Sequence, residues 1–313
     1  MDDLLFSLNT VLPLLVMMAV GFAARCVGWL DDASTHRINA CVFRIFLPLL
    51  LCFNIVDTDL GESFDGLTLL YALATTLAAF LFLFWLVPRL CRDRASCGVI
   101  IQGVARSNYA IFGIPLVMTM YPQADTSIAA LMVAVVVPVF NVMSTVALTV
   151  FTGKRSKPSR VLRDILLNPL ILATLAGFAL WWLRIDLPPV LESPLRSLGS
   201  VATPLALFLL GASMDFQKAK ANGKTLVISV LGRLVAMPLV FLSLAVALGI
   251  RDVSLAALIA VYASPTSVSS FPMAQQMGGN GDLAGAQVVF TTALSIPTVF
   301  LWIYVLRSLG YLA

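Results

Sequence analysis

"PLLVMMAVGFA" occupies residues 13–23, and "PLILATLAGFA" occupies residues 169–179. The two stretches lie 156 residues apart, close to half of a 313-residue chain. The same displacement pairs "PLLLCFNIVDTD" (48–59) with "PLALFLLGASMD" (204–215), and one residue more pairs Pro115 with Pro272. Any two apolar stretches look somewhat alike. Matched prolines and a matched Gly-Phe-Ala at one nearly constant displacement mark an internal repeat. The chain reads as a first repeat at 1–152, a short basic connector at 153–160 ("GKRSKPSR") and a second repeat at 161–313.

Composition says what the repeats are made of. The chain is 60% hydrophobic and 12% charged, with mean hydropathy +0.96. Soluble domains are about half apolar and about a quarter charged, so the surplus has to face lipid. Apolar runs of roughly membrane-spanning length recur ten times, near 4–24, 38–56, 67–88, 95–119, 127–150, 161–183, 197–214, 224–248, 252–277 and 283–306. They are continuous, whereas barrel strands alternate over about 10 residues. Helices also satisfy their own backbone hydrogen bonds in lipid. The predicted fold class is an all-α integral membrane protein of ten transmembrane helices in two five-helix repeats. Five is odd, so the second repeat enters the membrane inverted, a plan shared by many secondary transporters.

Charge sets the orientation. Odd-numbered loops carry 13 lysines and arginines; even-numbered loops and the C-terminal tail carry four. The positive-inside rule makes the odd loops cytoplasmic and both termini external, periplasmic for a multi-pass protein of a bacterial inner (plasma) membrane. The acidic "MDD" start does not fit a secretory signal. A net charge of +4 spread over loops does not point to nucleic acid.

The reactive residue types are sparse. Cys26, Cys41, Cys52, Cys91 and Cys97 lack metal-ligand spacing, and His36 is the single histidine, read as a loop residue. Nucleophile–base pairs and metal ligands are therefore not expected, and neither a metal, a cofactor nor an enzyme activity is predicted.

Polar residues inside the spans carry the functional reading. "RSNYAIFGIP" (106–115) falls within span 4, and Arg106 lies ten residues past Ser96, about 15 Å along a helix and so near the bilayer centre. Gly113 and Pro115 are expected to interrupt that helix. The repeat-mate in span 9, "ASPTSVSSFPMAQQ" (263–276), has Pro265 and Pro272 with Thr266, Ser267, Ser269 and Ser270 between them. Interrupted segments at matching places in two repeats point to a transporter's binding site. Spans 4 and 9 are thus predicted to be broken helices crossing at the midplane. The candidate substrate-binding residues are Arg106, Ser107, Asn108, Tyr109, Thr266, Ser267, Ser269 and Ser270. The expected crossover positions are Gly113, Pro115, Pro265 and Pro272.

All 16 acidic residues sit in loops or at span ends, while Arg106 and Arg233 lie within spans. A site with cations and no carboxylates suits an anionic substrate, whose carboxylate would partner a charge that is costly to bury alone. Asn108 can both donate and accept, and is expected to meet a carboxylate or cap a half-helix. Asp57 and Asp215, at span ends, are the candidate proton-coupling groups. For Arg106 the structural alternative is a pairing with helix C-terminal carbonyls or with Asp57; for Arg233 structural pairing is the expectation.

The ordered set "SNYAIFGIPL" (107–116), "NPL" (168–170), "GASM" (211–214) and "PTSVSSFPMAQQMGGNGDLAGAQVVFTTALSIPTVF" (265–300) resembles the auxin efflux carrier family over essentially the whole chain. That family includes plant auxin exporters and bacterial permeases for small organic anions such as malate and malonate. It falls in a larger group with the sodium–bile acid symporters. The resemblance implies crossing helices 4 and 9, with Asn108, Pro115 and Pro272 at the crossover. It further implies a scaffold of spans 1, 2, 6 and 7 moving against a core of spans 3–5 and 8–10. The scaffold helices are the candidate surface for a homodimer, with oligomeric state left open by the sequence. The family's second crossover asparagine is absent here, where Ser264, Pro265 and Thr266 stand, and the symporters' glutamate is missing from span 9. The plant exporters' long central loop is also absent, so the bacterial permease type fits. The expected function is secondary transport of a small mono- or dicarboxylate by alternating access. An anion channel or uniporter and a sodium-coupled carrier are the alternatives.

Overall fold

A computed structural model describes residues 2–57, 65–121, 127–152, 162–163, 165–185, 187–214 and 223–312, leaving aside the side chains of 2–11, 110–114, 127, 130 and 152. The described residues are helical, apart from turns and a single isolated bridge. We number the helices α1 (Asp2–Cys26), α2 (Asp32–Val56), α3 (Gly66–Leu90), α4 (Arg94–Ala105), α5 (Tyr109–Met120) and α6 (Ser127–Thr152), then α7 (Pro169–Leu183), α8 (Pro189–Ala212), α9 (Gly223–Ala247), α10 (Asp252–Tyr262), α11 (Ser270–Gln276) and α12 (Gly281–Ser308). Six are long and apolar enough to cross a membrane by length and composition: α2, α3, the Leu131–Phe151 part of α6, α8, α9 and α12. Leu12–Cys26, α7 and α10 are shorter apolar helices. The connector 153–160 and Asp215 lie outside the described residues.

Short polar residues start the helices. Side chains of Asp31, Asp65, Asp93, Asn168 and Asn280 accept from backbone N–H groups of the first turns of α2, α3, α4, α7 and α12. These are the donors that a helix start leaves without an internal partner. Much of the scarce polar inventory at span ends is therefore spent on capping. Single π turns interrupt α2 at Val42–Phe46 and α9 at Gly232–Ala236. Each lies just before a proline, Pro48 or Pro238, which removes a donor from the ladder.

Helix bounds recur along the chain. α3 and α9 begin and end 157 residues apart, and α8 ends 156 residues after α2. Close packing recurs with them. A Cβ on Gly21 would lie 1.9 Å from the backbone oxygen of Phe208, and one on Gly177 would lie 2.8 Å from that of Cys52. Gly177 follows Gly21 by 156 residues, and Phe208 follows Cys52 by the same number. Small residues let helix backbones approach where lipid offers no hydrophobic driving force between helices. α1 packs on α8 and α2 on α7, while α3 and α4 pack on α6, α5 on α10 and α11 on α12.

Candidate functional site

Both interrupted segments meet. α4 ends at Ala105 and α5 begins at Tyr109; α10 ends at Tyr262 and α11 begins at Ser270. Ser107 and Thr266 form an antiparallel bridge between the gaps. Asn108 N donates to Pro265 O at 2.9 Å, and Ser267 N donates to Arg106 O at 3.3 Å. The unwound backbone thereby finds partners inside the protein, as it must at membrane depth.

The breaks do not sit where proline alone would put them. Gly113 and Pro115 lie within α5, past the break, and Pro115 is exposed. Pro272 is the third residue of α11, where a missing N–H costs little. Pro265 does lie in the gap, contributing its carbonyl. What opens span 4 is the polar triplet Arg106-Ser107-Asn108 paired across to residues 265–267.

Two buried arginines flank the crossing with different duties. Arg233, fully buried on α9, donates to the carbonyls of Ser264 (2.8 Å), Val104 (3.1 Å), Ala105 (3.3 Å) and Val261 (2.7 Å). It covers the negative C-terminal ends of α4 and α10 together. Arg106 faces the other way. Its Nη2 donates to Asn141 Oδ1 at 2.7 Å and Ser269 Oγ at 2.6 Å, and its Nη1 to Met273 Sδ at 2.6 Å. These partners are neutral, and no carboxylate pairs with Arg106 among the described residues.

Arg106, Ser107, Asn108, Ser267, Val268 and Ser269 line one wall of a cavity of about 50 Å³. The facing wall comes from α2 (Leu47, Leu50, Leu51, Asn54) and α8 (Thr203, Ala206), with Val137 and Phe140 of α6 beside them. Ser107 Oγ and Asn108 Nδ2 are buried there without partners among the described residues. Asn108 does not cap α5 through its side chain, so its amide remains available to the cavity.

Other predicted residues lie elsewhere. Tyr109 is fully buried and donates to Ala129 O at 3.0 Å. Thr266 donates to Gly103 O at 2.6 Å, and its N–H is held by Thr291 Oγ1 at 3.1 Å. The Ser270 carbonyl accepts from Gln102 Nε2 at 3.0 Å. These three brace the crossing and do not line the cavity. Asp57 pairs with Arg196, with both carboxylate oxygens at 2.7 Å, and Arg196 also holds Glu192. Asp57 is therefore not the partner of Arg106. Asn54, Asn141 and Thr203 were not singled out from sequence; their signal is a lone polar residue inside an apolar run.

Six long apolar helices, together with a match to a transporter family and not to an enzyme family, identify a multi-pass membrane transporter. The chain belongs to the Membrane transport protein family, the family of the auxin efflux carriers, whose description matches residues 6–303. It is 25% identical over 306 residues to a Rhizobium meliloti (strain 1021) protein named "Putative malonate transporter", covering 95% of each chain. It is 22% identical over 306 residues to an "Uncharacterized transporter" of Methanothermobacter thermautotrophicus, covering 96% of this chain and 98% of that one. It is 28% identical over 156 residues to Auxin efflux carrier component 3a of Oryza sativa subsp. japonica, covering 48% of this chain and 25% of the rice protein.

Proposed function

We propose that this protein is a ten-span secondary carrier of a small organic anion, a mono- or dicarboxylate of the malonate or malate kind, working by alternating access. Spans 4 and 9 are α4–α5 and α10–α11, crossing at Ser107 and Thr266 between two inverted five-helix repeats. Both termini are external and the odd-numbered loops cytoplasmic, in the inner membrane. The recurring helix bounds and the twin glycine contacts support the duplication; the Rhizobium relative's name supports the substrate class.

One observation carries the reading. Arg106 is 3% exposed, and among the described residues it holds only neutral partners and borders a cavity with two further unpartnered polar atoms. Burying a charge without a counter-charge is costly. A substrate carboxylate would supply that counter-charge, accepting from Arg106, Ser107 and Asn108. The N-terminus of α5, opening at Asn108, adds a favourable dipole. At about 50 Å³ the cavity has room for a few waters only. Admitting a dicarboxylate requires the α2–α8 wall to withdraw from the crossing, which is the motion a carrier uses.

Uptake of radiolabelled malonate, malate and indole-3-acetate into proteoliposomes tests this, with imposed voltage and pH gradients. Saturable uptake with counterflow is expected for malonate or malate, lost in Asn108→Ala while the protein elutes as a single species. Uptake without counterflow would make the protein a channel, and normal transport by Asn108→Ala would remove the crossing from the mechanism.

A further inference from the structure

A second, much larger cavity of about 510 Å³ lies between α3 and α9, with α4 as its floor. It falls within the about 300–1,000 Å³ of ordinary ligand pockets. Its lining runs from Ala78 to Leu90 on α3 and from Thr225 to Phe241 on α9, over Ile100 and Val104. Only Thr225 and Cys91 bring polar side-chain atoms to it. Phe241 of the lining is tied back to α3 by Tyr71, whose hydroxyl donates to Phe241 O. Ala78, Leu90 and Ala236 are exposed, so the groove opens sideways toward the membrane. From Ala78 to Leu90 it runs about 18 Å at 1.5 Å per residue. That is a little over half the roughly 30 Å hydrocarbon thickness, the depth reached by one leaflet's acyl chains.

The open end carries positive charge. Arg89, Arg92 and Lys224 are exposed beside Leu90 and Thr225. Arg89 lies over the Trp85 ring at 4.2 Å. Arg92 and Lys224 form no ion pair among the described residues. Nearby Asp93 is occupied by Ser96 Oγ and Ala95 N, and Arg94 turns away to Val150 O on α6. Apolar depth of one leaflet with cations at its mouth matches a phospholipid bearing an anionic headgroup.

We propose that the α3–α9 groove is a binding site for an anionic phospholipid, with one acyl chain along the groove and the phosphate at Arg92 and Lys224. The orientation proposed above places this end in the cytoplasmic leaflet, but lipid binding is read out independently of transport. The chain would lie against Val104 and Gly232, which approach closely: a Cβ on Gly232 would lie 3.2 Å from Val104 Cγ2. The neighbouring Arg233 holds the Val104 carbonyl, so an occupied groove bears on the support of the crossing.

Native mass spectrometry of the full chain in detergent tests this, with phosphatidylglycerol and phosphatidylcholine of identical acyl chains. One phosphatidylglycerol per protomer is expected at concentrations where phosphatidylcholine does not bind. Ala236→Trp, which fills the groove from a lipid-facing position, abolishes it. Ala78→Phe, on the opposite wall, does the same and guards against misfolding of the first variant. Lys224→Gln and Arg92→Gln each reduce the preference for phosphatidylglycerol by roughly fivefold. Equal binding of the two lipids, or phosphatidylglycerol retained by both groove-filling variants, would overturn the proposal. So would a change of oligomeric state in Ala236→Trp, which would make a second copy the occupant.

Discussion

Arg233 Nη2 donates to the carbonyl oxygen of Val261 at 2.7 Å, and the same guanidinium reaches the end of α4 at Val104 and Ala105. One side chain thus closes the C-terminal ends of both half-helices that lead into the crossing. The residue 157 positions before it is Thr76, buried on α3. Arg233→Met leaves the carbonyls buried and unsatisfied. We expect about 1–3 kcal/mol of destabilisation for each carbonyl left without a donor, seen as a large fall in Tm in detergent. Arg233→Lys should recover only part of it, because an ammonium cannot fork to carbonyls on two helices. A wild-type Tm for Arg233→Met would refute this role.

Arg106 should behave in the opposite way. Its partners Asn141, Ser269 and Met273 are side chains, and its outer face borders the cavity. Removing the charge relieves a burial cost, so Arg106→Gln should fold with little loss of stability. Substrate binding should suffer instead. A charge-assisted hydrogen bond contributes about 1.5–3 kcal/mol, so the half-saturating concentration should rise roughly 10–100-fold. Proteoliposome uptake across a substrate series measures it. An unchanged half-saturating concentration would assign Arg106 to structure.

The contrast between these arginines marks the limit of sequence reading here. Both are cations in apolar runs, and composition alone cannot say which one faces carbonyls. That is decided by half-helix ends that lie 28 to 129 residues away in sequence. The helix ends were legible to within a few residues at most spans because apolar runs have a length; the polar caps that fix them were not read from sequence. The two gaps were legible as regions because polar clusters and prolines recur at matching places. Their mechanism was not, since pairing of residues 106–108 with 265–267 is a tertiary fact. The α2–α8 wall was hidden for a similar reason: Asn54 and Thr203 look like ordinary polar residues until the helices are packed.

Asp57 tests whether a span-end carboxylate couples proton movement. It is held by Arg196, with the two side chains 52% and 36% exposed respectively, and it is not among the residues lining the cavity at the crossing. Ion pairs this exposed contribute about 0–1 kcal/mol. Asp57→Asn should therefore shift Tm slightly and leave the response of uptake to an imposed pH gradient unchanged. Loss of that response in the folded variant would restore Asp57 as a proton carrier.

The twin glycine contacts make the duplication testable at the level of packing. Gly21 meets Phe208, and Gly177 meets Cys52, with both partners displaced by 156 residues. An alanine methyl at Gly21 would lie 1.9 Å from a backbone oxygen, and one at Gly211 would lie 1.9 Å from the Met18 oxygen. At Gly177 the distance is 2.8 Å. Backbone cannot step aside as a side-chain end can, so the α1–α8 pair must separate. Overpacking of this kind costs typically about 1–3 kcal/mol, and a separation this large belongs at or beyond the upper end. Gly21→Ala and Gly211→Ala should lower Tm most, Gly177→Ala less but in the same direction. Gly223→Ala, where a Cβ meets nothing within 4 Å, should leave Tm unchanged. If Gly21→Ala is harmless while Gly177→Ala unfolds the protein, the two interfaces are not equivalent, and the matched displacement has no counterpart in packing.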